Sequence, residues 1–337
     1  MATRTAKRNK IVSATQTAGA FTDTPLVEKV FSDGVLVDVN VSFWTAKNRN
    51  TAEDLNMEPV QKENIPEFVI GLGTKRLIEH EQVLAWQRIA MKAWGLVERY
   101  SFDFPVGRGR FVPAKALPEI ETQLEALRLE FNQVVVTFLN QYEALRDEML
   151  AKYPDHRERL QGLYPEKSDL ARRFSFSWSV FNVRLPKQMR LQTADRATMA
   201  RYEKEINTRV ESFLEDSIKV LRARVSETCG TLAERIKKGE VISEPSLNKI
   251  RKLVEQFRML NFTGDRGIEQ MLEALKSDTL NGRTAEELRD DAAALSGFGS
   301  ALNTVAQTAG DISDVSTITG EYRRRIIMDT PANGEGE

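Results

Sequence analysis

A strict alternation of polar and apolar side chains at residues 172–186, Arg-Arg-Phe-Ser-Phe-Ser-Trp-Ser-Val-Phe-Asn-Val-Arg-Leu-Pro, interrupts a chain otherwise patterned with helical period. Strand side chains repeat every two residues, so Phe174, Phe176, Trp178 and Val180 fall on one face and Ser175, Ser177 and Ser179 on the other. A strand needs a partner for its backbone donors and acceptors. Residues 34–44 supply one, because Val35, Val37, Val39, Val41 and Phe43 alternate with Leu36, Asp38, Asn40, Ser42 and Trp44. Ser101–Pro113 also alternates and then turns at Gly107 and Gly109, which predicts a short hairpin or extended loop and with it a third strand.

Between and beyond these strands the apolar residues recur at three and four. Leu26 to Phe31 is a short docking element, and Thr45–Glu67, rich in Asn and Pro, reads as loop or short helix rather than a long regular element. Thr74 is placed to cap a helix over 75–98 that carries Val83, Trp86, Ala90, Ala93 and Val97. A second helix follows over 117–152, from Ile120 to Met149. The longest runs over 194–238, through Met199, Ile206, Phe213, Ile218, Leu221, Val225, Leu232 and Ile236. Ser243 with Pro245 opens a helix through Leu260, and Gly264 with Asp265 opens a shorter one. Thr284 and Glu287 form a capping box. The helix they start is interrupted by Gly297 and Gly299, and from Gly310 the chain turns polar.

The fold class that follows is mainly α with a small antiparallel β-sheet (α+β), with a long antiparallel helical hairpin and a helical C-terminal region. Residues 1–25 are expected to be a flexible basic arm, and 26–193 an α+β body that includes a helical arm at 117–152. Residues 194–240 are expected to pair with that arm, 241–310 to form a C-terminal helical region, and 311–337 a polar tail with a docking segment at 321–329. The stripe drifts from Phe213 to Leu214, so a bundle suits the pairing as well as a coiled coil does.

Composition bounds the function. Across 337 residues, 48 basic side chains nearly cancel 49 acidic ones, so any attraction to nucleic acid must be local. Cys229 is the only cysteine, which rules out an intrachain disulfide and suits a reducing compartment. No run reaches the roughly 18 apolar residues a membrane span needs, and the basic start lacks the apolar core of a secretory signal. The expectation is a soluble protein of the cytoplasm.

No catalytic, cofactor-binding or metal-binding set emerges. Gly71-Leu72-Gly73-Thr74-Lys75-Arg76 precedes a helix, where amides favour anions, but its spacing is not that of a Walker loop. His80 and His156, the only imidazoles, have no ligand spacing. Two segments carry interaction chemistry. Arg172, Arg173, Phe176, Trp178, Arg184 and Lys187 combine cations and aromatics in the manner of a single-strand stacking platform, the bland counterpart being a core strand flanked by solvated arginines. Tyr322, Arg323, Arg324, Arg325, Ile326, Ile327 and Met328 form a basic and apolar run in the polar tail, suited to docking on a partner or to packing back on its own domain.

Val-Leu-Val-Asp-Val-Asn-Val-Ser-Phe-Trp-Thr-Ala-Lys at 35–47, Gly-Thr-Lys-Arg-Leu at 73–77 and Arg-Phe-Ser-Phe-Ser-Trp-Ser-Val-Phe-Asn-Val at 173–183 resemble, in order and separation, Domain of Unknown Function 3150. This is an uncharacterised family of phage and conjugative-element proteins, and the resemblance extends over residues 30–310. It carries over no catalytic residue. It implies a mobile-element origin in an infected bacterial host and company, since genes of the family lie near MoxR-type AAA+ ATPases and von Willebrand A-like proteins similar to cobalt-chelatase subunits. The leading expectation is a non-enzymatic scaffold or adaptor, homo-oligomeric through its long helices, that supports such an ATPase. The alternative is a nucleic-acid-binding accessory factor in phage replication or recombination, and an enzyme with an unfamiliar site is a third class.

Overall fold

The computed structural model describes residues 25–50, 73–105, 109–182, 196–280 and 282–329. Residues 1–24 of the expected arm, Gly71, Gly107, Arg184 and Lys187 lie outside them, as do the side chains of Ile326, Ile327 and Met328. The chain runs α1 (Pro25–Asp33), β1 (Gly34–Ser42), β2 (Lys47–Arg49), β3 (Thr74–Arg76), α2 (His80–Arg99), β4 (Phe102–Asp103), β5 (Arg110–Pro113) and α3 (Leu117–Lys152). After a single turn at Pro154–His156 come α4 (Arg157–Gln161), α5 (Lys167–Ala171), β6 (Ser175–Phe181), α6 (Arg196–Lys237) and α7 (Glu244–Leu260). Last are α8 (Arg266–Leu275), a π turn (Lys276–Leu280), α9 (Ala285–Asp290), α10 (Ala292–Gly310) and α11 (Val315–Asp329).

The protein is mainly helical with a small antiparallel sheet. Four strands lie in the order β4-β5-β1-β6, and β2 pairs with β3 in a separate two-stranded ribbon. β1 pairs β6 from Leu36 opposite Phe181 to Ser42 opposite Ser175, the partnership that the two alternating segments predict. The expected hairpin is β4–β5, with Phe102 opposite Phe111.

Each face of the sheet supports a different helical layer. Val37, Val39, Val41, Phe176 and Trp178 share one face because they alternate in register. α2 and α3 cover it: Phe176 meets Phe131 at 5.7 Å, Phe174 meets Trp86 at 5.2 Å, and Trp86 meets Phe138 at 4.8 Å between ring centroids. Trp86 is fully buried, and its indole N–H donates to the Trp44 carbonyl at 3.2 Å, so this large ring keeps its polar edge satisfied. On the opposite face Phe111 contacts Phe213 of α6 at 5.2 Å and Phe262 at 5.0 Å. Farther along that face Asp38, Asn40, Ser42, Ser175, Ser177 and Ser179 are exposed.

The long antiparallel helical pairing exists, but its members differ from those expected. α3, about 54 Å long, packs on α2 and β6, and α6, about 63 Å long, packs along α10. Small residues explain the choice. Gly299 of α10 lies against Ile236, where an added Cβ would sit 3.0 Å from Cγ2, and Gly230 of α6 faces Ala306. Gly297 and Gly299 therefore do not break α10; Gly299 lets the two backbones approach closely. Thr74 likewise does not cap α2. It sits in β3, which is held by pairing with β2 and by the Leu77 amide donating to the Ala46 carbonyl at 2.9 Å, and the helix begins at His80.

Three local signals hold in detail. Thr284 and Glu287 make the reciprocal capping bonds at 3.3 and 2.8 Å, although the helix they open ends at Asp290, and Asp291 caps α10 by accepting from the Ala294 amide. Asp265 caps α8 by accepting from the Ile268 amide at 3.3 Å. Cys229 is fully buried on α6, and burial pushes its thiol up to about 12. A thiol reagent such as Ellman's should therefore label no group in the folded protein and one after unfolding; rapid labelling under native conditions would contradict the packing of α6.

Candidate interaction surfaces

Three places gather polar chemistry. The first is a knot around Arg222, whose side chain is 3% exposed on α6. Its Nε donates to Asp265 Oδ2 at 2.6 Å, and Nη1 and Nη2 donate to the two Asp314 carboxylate oxygens at 2.6 and 3.0 Å. Nη1 also reaches the Asp311 carbonyl at 2.6 Å. Burial alone would lower the guanidinium pKa; the bonds to Asp265 and Asp314 outweigh it and hold the pKa above its ordinary value. The position was legible in principle, since Arg222 lies four residues after Ile218 and inside the Leu221–Val225 stripe, but a charge on a long helix reads first as solvated.

This knot fastens α11 to the rest of the molecule. Residues 311–337 are expected to be a polar tail, yet Val315 and Ile318 of α11 are buried beside Ile218 in a small apolar cluster of their own. Tyr322 is 1% exposed, and its hydroxyl donates to Asp33 Oδ2 at 2.7 Å. Arg325 donates to the Thr263 carbonyl and lies over the Tyr322 ring, 5.6 Å from its centroid. Within the docking segment, Tyr322 and Arg325 are thus turned inward and Arg323 pairs with Glu211 at 2.6 Å, while Arg324 is exposed.

The second place is β6. The platform residues do not act together: Phe176 is packed into the core, whereas Arg172 and Arg173 are exposed, Arg172 lying 3.7 Å from Asp169. Trp178 is half-buried beneath Arg128, whose guanidinium carbon is 5.2 Å from the ring centroid. Val180 and Phe181, at the end of the strand, are each 41% exposed.

The third is a cleft of about 480 Å³ where the start of α2 meets the end of α3. The fold brings His80 and His156 together there, with Lys75, Arg76, Arg159 and Tyr153, although the two imidazoles are far apart in sequence. Glu79 at its rim pairs with Lys152 at 3.1 Å. Among the described residues no group of three or more His, Cys, Asp or Glu side chains is arranged to hold a metal ion.

These features define a helix-rich α+β protein whose β6 is an outer strand of the sheet and whose C-terminal helix is held by buried polar bonds. No described helix is long and apolar enough to cross a membrane. The chain belongs to the family described as Protein of unknown function (DUF3150), which matches residues 32–293. No curated protein and no solved structure matches it. The family match ends near the start of α10, so the rest of α10 and all of α11 lie beyond it.

Proposed function

We propose that this protein is a non-enzymatic scaffold or adaptor that self-assembles and supports a MoxR-type AAA+ ATPase or a related remodelling complex, with a von Willebrand A-like protein as a further partner. The observation that carries the reading is the continuity of the core. One cluster of buried side chains runs from Leu26 of α1 through Trp86, Phe111, Phe213 and Phe257 to Tyr322 of α11. Two helices of about 54 and 63 Å are embedded in it. Such a body resists bending, because close-packed interiors transmit load rather than absorb it. A stiff frame suits a part that holds others in position around a motor. The ATPase enters through the company that family genes keep.

The stripes of α3 and α6 are largely filled from within the chain, so self-assembly draws on other surfaces. The nucleic-acid reading is weaker, since Phe176, its central stacking residue, already packs on Phe131. Light scattering of the purified protein at micromolar concentration, alone and with the neighbouring ATPase, tests the proposal. A mass that is a multiple of 38.2 kDa and co-elution with the ATPase are expected. A strict monomer that leaves the ATPase free, and shifts single-stranded DNA at low salt, would overturn it in favour of the accessory factor.

A further inference from the structure

β6 is the outer strand of the four-stranded sheet, and among the described residues no strand pairs with its free edge. Soluble proteins guard such edges with charges, proline, bulges or brevity. β6 has none of these. Its seven residues, Ser-Phe-Ser-Trp-Ser-Val-Phe, are uncharged, and its pairing with β1 runs through seven successive residues without a bulge. The opposite edge is different, since β4 is only two residues long.

The pattern also says what fits the edge. Polarity is symmetric about Trp178: Ser177 and Ser179 lie one residue to either side, and apolar Phe176 and Val180 lie two. A strand laid antiparallel to itself about that centre matches apolar to apolar and Ser to Ser over the five central residues, Phe176–Val180. A one-residue slip would place Ser against the aromatic face. We propose that β6 pairs antiparallel with β6 of a second copy about a two-fold axis at Trp178, joining two sheets into one of eight strands. This rests on the scaffold reading and gives its self-assembly a site.

The geometry has consequences. A two-fold axis perpendicular to the sheet keeps the α2–α3 layers of both copies on the same side, so the apolar face continues across the junction. Trp178 faces its own symmetry mate, Phe176 faces Val180 of the partner subunit, and Ser175 faces the partner's Phe181, covering the two side chains of β6 that are 41% exposed. The contact is isologous and consumes the long edge of each copy, so it closes as a dimer rather than growing into a filament.

The test is the mass of the full-length protein and of Val180→Lys, whose side chain reaches solvent without entering the core. The wild type should be a dimer and Val180→Lys a monomer, halving the mass, with unchanged circular dichroism and melting temperature. Independently, the Ser177→Cys/Ser179→Cys double variant should cross-link between copies on oxidation, because each position faces the other across the axis, while buried Cys229 stays out of the reaction. A wild-type oligomer that neither responds to Val180→Lys nor cross-links overturns the β6 assignment and leaves self-assembly standing. A wild-type monomer at micromolar concentration overturns both.

Discussion

Replacing Arg222 by Ala should lower stability by about 3–5 kcal/mol, the range for breaking a buried ion pair from one side. The reason is what remains. Asp265 is 2% exposed and would keep a buried carboxylate without its guanidinium partner, while α11 would lose its bidentate anchor at Asp314. Arg222→Met combined with Asp265→Asn should recover part of the loss, because Asn is a good N-cap for α8 and no isolated charge is left inside. Urea unfolding followed by circular dichroism measures both. A single-variant loss below about 1 kcal/mol, the value of an exposed pair, would mean that water reaches Arg222 and that α11 is not locked.

Ending the chain after Asp291 should have a still larger effect. The shortened protein keeps nearly all of the family-matched segment, yet it loses α10 and α11. Phe298, Leu302 and Val305 of α10 are buried, and each contributes about 1.5–3 kcal/mol by leaving water. Their removal also uncovers the apolar stripe of α6. Those three side chains come to about 5–9 kcal/mol, comparable with the 5–15 kcal/mol that separates folded from unfolded states in most domains before the bared stripe of α6 and the loss of α11 are added. The expected product is insoluble or lacks a cooperative melt in calorimetry. A truncated chain that melts like the full-length one would show α10 to be an appendage rather than half of the central pairing.

The sequence reveals elements better than partnerships, and the residues show why. β1 and β6 were legible because a period of two is unmistakable among helical stripes, and their pairing followed from backbone demands. The limits of α3 were legible from Leu117 to Lys152, with Pro154 just beyond. Which helix meets which was not, because a stripe of Ile, Leu and Val states that it needs cover without stating whose. Gly299 and Gly230 carried the missing information, but glycine inside a helical pattern reads first as a breaker. α11 was legible only as a segment that docks on a partner or packs back on its own domain, and the choice was hidden for a related reason: its anchors are Asp314, Tyr322 and Arg325, polar groups whose value comes from burial that composition does not display. The convergence of His80 and His156 depends on α2 and α3 running antiparallel, a tertiary fact. In β6 the core reading suits Phe176, which is buried, but not Phe181 at the strand's end, and the edge position of the strand needed the strand order.

The central claim is that the longest helical stripe finds its mate inside the same chain, α6 against α10. Hydrogen exchange at several protein concentrations tests it most directly, because an internal seam protects its amides regardless of dilution. The amides of α6 between Arg222 and Ile236 should rank among the slowest in the protein and exchange at the same rate across a hundredfold dilution. Fast exchange there, or protection that fades as the protein is diluted, would place the mate of α6 on another copy and contradict the account.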